Sequence, residues 1–124
     1  MNEFKRPSKD VSNLVKATPE LYRKRFPPQE QARKYLLWKV LCRDFFQKYV
    51  SKDSAVLDIG AGYCEFINHI SCKKKIAIDV NTDTIEHAGE GVRVIIGPSE
   101  DLSAIEDASL DVVFASNFFE HLPD

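Results

Sequence analysis

Residues 55–65 read AVLDIGAGYCE, and this stretch decides the fold. Ala55–Ile59 (AVLDI) is a short apolar run that reads as a strand. Gly60-Ala61-Gly62 supplies the backbone freedom of a tight turn, and the spacing beyond it predicts a short helix over 64–71. A strand that runs through a glycine turn into a helix brings backbone close to a nucleotide-like ligand at the carboxyl end of a sheet.

The texture continues downstream. Residues 75–79 (KIAID) read as a second strand, and a helix opens around 81–83, where Asp83 and Glu86 have the spacing of a capping box. Val92–Ile96 reads as a third strand and 110–116 (LDVVFAS) as a fourth. Short strands that are apolar throughout, alternating with helical stretches, predict an α/β fold with a parallel, Rossmann-like sheet covered on both faces. The chain ends at Asp124, where a fourth crossover helix is due, so the sequence reads as the N-terminal part of a longer protein.

Upstream, residues 1–54 have a different character, and the chain divides into an N-terminal arm with a helical cap (1–54) and a sheet domain (55–124). Residues 1–17 are polar, and Thr18-Pro19-Glu20 has the residue order of a helix start. Pro27-Pro28 must stop that helix. A longer helix is expected over 29–50, with Leu37, Trp38, Leu41, Cys42, Phe45 and Tyr49 on its packing face and Arg33, Lys34, Arg43, Asp44, Gln47 and Lys48 outward.

With 124 residues, 44% apolar and 29% charged, the chain has the size and composition of one globular domain, not of a disordered or fibrous chain. No apolar run is long enough for a membrane span and the first twenty residues do not read as a signal peptide, which predicts a soluble, cytoplasmic protein. Cys42, Cys64 and Cys72 lack the spacing of a disulfide framework or a zinc site. The net charge of −2 conceals an asymmetry: residues 1–54 carry 13 Lys/Arg and 6 Asp/Glu, a net +7, so the remaining seventy residues carry −9. Either the halves complement each other's field, or the basic half attracts an anionic substrate while the acidic half holds something cationic.

Charge sorts the candidate ligands of the glycine turn. A dinucleotide fingerprint requires a third glycine at position 65, where this chain has Glu65. Asp58 and Glu65 would also place negative charge where a pyrophosphate sits. A phosphate-binding P-loop fails because no Lys-Ser/Thr pair follows the glycines. S-adenosylmethionine, with a sulfonium, an ammonium and no phosphate, suits an acidic turn.

At these residues the chain resembles the N-terminal half of the class I S-adenosylmethionine-dependent methyltransferases. VLDIGAG is similar to that superfamily's first motif, with Asp58, Gly60 and Gly62 in the expected places. The resemblance implies that Asp58 contacts the methionyl amine, directly or through water, and that the Gly60-Ala61-Gly62 backbone passes close to the cofactor. Where the family usually has a third glycine this chain has Cys64, which implies a slightly wider loop. Asp79, followed by Val80, ends the second strand 21 residues after Asp58, where an acidic side chain accepts both ribose hydroxyls. Gly97-Pro98-Ser99-Glu100-Asp101-Leu102 falls at the adenine loop, with Pro98 in place of the usual Asp, so the adenine acceptor is a side chain of Ser99, Glu100 or Asp101 or the backbone, with Ser99 and Glu100 the contacts the resemblance favours. Ser116 and Asn117 fall beside the methyl donor.

Glu120-His121 leaves three readings open. His121 is structural support, a general base, or part of a metal site; the last lacks one carboxylate because the corresponding position is Asn117. The segments LWKVLCRDFFQKYV (37–50), GYCEFIN (62–68) and SNFFEHLPD (116–124) resemble a bacterial group of methyltransferases linked to cell-surface polysaccharide assembly. The resemblance spans residues 20–124. It implies methyl transfer to an oxygen or nitrogen of a small-molecule, sugar or lipid-linked acceptor. Tyr22, Phe26, Tyr35 and Trp38 are then possible contacts of a closing cap, and Arg23, Lys24 and Arg25 are placed to meet an anionic group. The competing readings are a degenerate, non-catalytic module, prompted by Cys64 and Pro98, and a nucleic-acid methyltransferase, prompted by the basic first half. The second is disfavoured because the aromatics there fall on a packing stripe and not on a stacking face.

Overall fold

The computed structural model describes residue 20 and residues 27–116. Four strands form one all-parallel sheet: β1 (Ala55–Ile59), β2 (Lys74–Asp79), β3 (Val92–Ile96) and β4 (Val112–Ala115), in the order β3-β2-β1-β4. This is the Rossmann-like α/β architecture expected from the sequence. The order reverses between β1 and its neighbours, and in such sheets the ligand crevice lies at that switch point, beyond the carboxyl ends of the strands. β1 and β3 have the expected bounds, β2 begins one residue earlier, and β4 is shorter than 110–116. Asp111 explains the late start of β4: its carboxylate accepts the Ala55 N–H at 2.8 Å and its own N–H donates to the Ala55 carbonyl at 2.9 Å.

Helices α1 (Pro28–Asp44), α2 (Glu65–His69) and α3 (Thr84–His87) complete the described elements, with a 3-10 turn at Phe46–Tyr49. α1 begins with proline at a position that needs no N–H. It ends at Asp44, not at residue 50, because Phe45 leaves helical geometry with φ −125°. That break puts Phe46 against the core in place of Phe45. Trp38, Cys42 and Phe46 pack inward, whereas Leu37, Phe45 and Tyr49, expected inside, are exposed. Gln47, expected outward, instead bridges the 3-10 turn to the end of α2: its amide donates to the Val50 and Ser71 carbonyls at 2.8 and 2.9 Å and accepts the Ser71 N–H at 2.9 Å.

The period of two along each strand divides the core. Val56, Ala77 and Phe114 face α1 and α2, where Phe66 stacks on Phe114 at 3.7 Å and on the edges of Trp38 and Phe46. Leu57, Ile76 and Ile78 face the other way, against Ile95, Ile105 and Leu110. That second face is covered by irregular chain, since residues 97–111 contain no helix. Turn-forming residues dominate there, and Asp101 accepts both the N–H and the hydroxyl of Ser103. Among the described residues, no helix is long and apolar enough to cross a membrane.

Candidate functional site

The alternation that builds the core also fixes where the chemistry lies. Asp58 shares the α2 face of the sheet with Val56, and Asp79 shares it with Ala77. Asp58 is 3% exposed, and its carboxylate accepts the N–H of Ile67 in the first turn of α2. It thereby satisfies a helix N-terminus that Cys64, the N-cap residue, leaves without a side-chain cap.

Gly60, Gly62 and Cys64 all have positive φ, of 69°, 57° and 63°. Cys64 therefore takes the left-handed conformation that a glycine adopts freely, and the turn stays closed, with the Cys64 N–H on the Ala61 carbonyl at 2.9 Å. The wider loop expected from the missing glycine is not formed. Instead the thiol is buried beneath α3, with its sulfur 3.9 Å from the Thr84 carbonyl. Burial, reinforced by Asp58, Glu65 and Asp79, pushes this thiol up to about 12, and burial pushes Cys42 to about 11. Neither is a nucleophile at neutral pH.

Asp79 organises the opposite wall. Its Oδ2 accepts the Gly62 N–H at 2.7 Å and its Oδ1 accepts the Asn81 N–H at 2.8 Å. Burial raises the Asp79 carboxyl above its ordinary value, an effect opposed by the N–H groups of Asn81, Gly62 and Val80. Thr84 holds the other side of Gly62, donating its hydroxyl to the Gly62 carbonyl at 2.7 Å. The expected capping box is absent: Asp83 makes no side-chain cap, and the Asn81 side chain accepts the Asp83 N–H at 2.9 Å in its place. Tyr63 lies stacked on His87 at 3.8 Å and bonds Asp83 at 3.3 Å.

Parallel register brings the remaining segments to the same edge. Asp79 pairs with Ile96, so the loop with Ser99 and Glu100 begins beside it; Ile59 pairs with Ala115, which puts Ser116 next to Gly60. Ser99 donates to Glu100 at 3.3 Å, so these two side chains meet each other. Asn117, Glu120, His121 and the candidate cap residues Tyr22, Arg23, Lys24, Arg25 and Phe26 lie outside the described residues. Trp38 is a core residue, and Tyr35 packs on the edge of His69 at 4.2 Å. Tyr35 also lines a cavity of about 260 Å³ with Gln31, Tyr63, Glu65 and His87. Thr84 and Asn81 are site-building residues that the sequence did not single out, and Lys34, expected outward, turns onto Glu65 at 3.5 Å.

The turn is thus ringed by Asp58, Glu65 and Asp79. Burial first, then the two neighbouring carboxylates, raises the Asp58 carboxyl well above its usual range. A raised native value means the folded state holds this proton more tightly than the unfolded chain, whose carboxyl titrates near about 3.9. The stability it contributes is therefore present at low pH and falls as pH rises through the raised value. Asp58→Asn keeps an acceptor for the Ile67 N–H and removes the buried charge. Thermal unfolding at pH 7–8 should show a gain of about 0.5–2 kcal/mol and a flatter pH profile than the wild type. A loss of stability with the profile unchanged would contradict this assignment.

A parallel α/β sheet with a glycine turn at its switch point and an acid at the end of the neighbouring strand is the arrangement of Rossmann-like folds. Residues 57–124 match the family described as Methyltransferase domain, and the chain belongs to that family. No curated protein matches the chain.

Proposed function

We propose that this domain binds S-adenosylmethionine along the carboxyl edge of β1, β2 and β4. The methyl group then passes to an oxygen or nitrogen of a small-molecule, sugar or lipid-linked acceptor in the cytoplasm. The observation that carries the cofactor reading is Asp79. It is anchored on the N–H groups of Gly62 and Asn81 at the end of β2, beside a turn flanked by the carboxylates of Asp58 and Glu65. This acceptor set fits a ribose diol and a cationic amino-acid tail, and it opposes a pyrophosphate.

Asp79 would hold the ribose, and Val80 would lie against the base. Gly60, Ala61 and Gly62 would pass along the methionyl tail within the field of Asp58. Ser99 and Glu100 would meet the adenine amine, and Ser116 and Asn117 would border the reacting centre. When bound, the cofactor supplies an electrophilic methyl on sulfur. The residues contribute by holding nucleophile and sulfonium in line, about 3 Å apart, with water excluded. His121 would stabilise the segment after β4 or take the acceptor's proton. Resemblance to the polysaccharide-linked group supports a glycan-type acceptor, and the net +7 of residues 1–54 suits an anionic one. Cys64 adopts the glycine-like conformation, which removes one motive for a degenerate module.

Thermal unfolding with ligand tests the reading. S-adenosylhomocysteine at about 100 times its Kd should stabilise the chain by about 2.7 kcal/mol, a shift of several degrees, whereas NADH should leave the midpoint in place. Stabilisation by NADH alone would overturn the proposal.

A further inference from the structure

We propose that α3 clamps the glycine turn through Tyr63, a positioning residue whose stack on His87 keeps Cys64 in the left-handed conformation that readies the turn for the cofactor. This role rests on the cofactor reading and concerns a residue that the reading does not use.

Three successive residues of the turn are gripped by this one short helix. The Thr84 hydroxyl donates to the Gly62 carbonyl at 2.7 Å. The Tyr63 hydroxyl donates to Asp83, the N-cap residue of α3, at 3.3 Å. Its ring lies on that of His87, with centroids 3.8 Å apart and an interplanar angle of 14°. The Cys64 sulfur lies 3.9 Å from the Thr84 carbonyl. Both ends of α3 are fixed in turn. Asn81 accepts the Asp83 N–H at 2.9 Å, while Asn68 in α2 donates to the His87 carbonyl at 2.9 Å and accepts the Gly89 N–H at 2.8 Å.

Cys64 is where the grip matters. An N-cap residue ordinarily has extended backbone, yet Cys64 has φ 63° and ψ 27°. A residue with a Cβ enters that region at a cost and stays there only where its surroundings hold it. Gly62 has positive φ as well, but glycine adopts it freely. Tyr63 stands between the two, buried, with its side chain tied to both ends of α3. Without the stack, Cys64 relaxes to commoner conformations, and cofactor affinity falls with the fraction of chains that still hold the turn.

Two readouts on the full chain test this role. Without ligand, iodoacetamide labelling followed by mass spectrometry compares Cys64 with Cys42, both of them fully buried. Tyr63→Leu should speed labelling of Cys64 by at least about tenfold relative to Cys42, because the clamp opens locally. His87→Ala, a change at an exposed side chain, should act in the same direction. General destabilisation would speed both cysteines alike. In calorimetry, Tyr63→Leu should weaken S-adenosylhomocysteine binding by about tenfold. Adding Cys64→Gly should bring affinity to within about twofold of Cys64→Gly alone, because glycine holds the left-handed conformation unaided. Labelling that rises equally at the two cysteines or at neither, or an affinity loss that persists in the glycine background, overturns the proposal. A wild-type chain that does not bind S-adenosylhomocysteine would overturn the cofactor reading and with it the positioning role, while the labelling still decides the clamp.

Discussion

Phe66→Ala is expected to destabilise the chain by about 3–5 kcal/mol and to lower its thermal midpoint by roughly 10–20 °C. Phe66 is 3% exposed, stacks on Phe114 at 3.7 Å, and meets the edges of Trp38 and Phe46. Truncation removes the side chain that joins α1, α2 and β4, and the rigid rings around it cannot collapse into the space. Phe45→Ala is the control. Phe45 is 48% exposed, so its loss should cost less than about 1 kcal/mol. Equal losses for the two variants would mean that the packing face of α1 is the one expected from periodicity and not the one described.

The second large effect concerns ligand affinity. Asp79→Ala should weaken binding of S-adenosylhomocysteine by about 1–3 kcal/mol, roughly 5- to 150-fold, through lost charge-assisted hydrogen bonds. Part of that loss is indirect, because the same carboxylate holds the Gly62 N–H at 2.7 Å and so shapes the turn. Thr84→Val separates the two contributions. It removes the hydroxyl that holds the Gly62 carbonyl at 2.7 Å but no group assigned to the ribose. Affinity should fall less in Thr84→Val than in Asp79→Ala, as isothermal calorimetry would show. Undiminished affinity in Asp79→Ala would remove Asp79 from the ribose role.

The parts legible in the sequence were those set by local residue type. Apolar runs broken by Gly, Asn and Asp gave β1 and β3 to the residue, and Gly60 and Gly62 mark the turn because positive φ favours glycine. Asp58 and Asp79 stand near or at the carboxyl ends of β1 and β2, a placement that the strand patterns predict. What stayed hidden depends on contacts between distant segments. The helix over 29–50 was read as continuous, and only the break at Phe45 exchanges Phe45 for Phe46 in the core. Gln47 looks like a surface residue until Ser71 is brought beside it. Asp83 and Glu86 have capping-box spacing, yet the Asp83 N–H that a box would give to Glu86 bonds the Asn81 side chain. The links from Asp79 to Gly62 and from Thr84 to Gly62 cross 17 and 22 residues, and no periodicity signals them.

Replacing Asp79 and neutralising Asp58 both probe the proposal that the acidic edge beyond β1 and β2 is built for a cationic nucleoside. The structure of the chain in complex with S-adenosylhomocysteine tests that claim most directly. The account predicts both ribose hydroxyls within about 2.6–3.2 Å of the Asp79 carboxylate oxygens and the amino-acid tail along Gly60-Ala61-Gly62. A ligand seated away from Asp79, with the Gly62 turn empty, would contradict it.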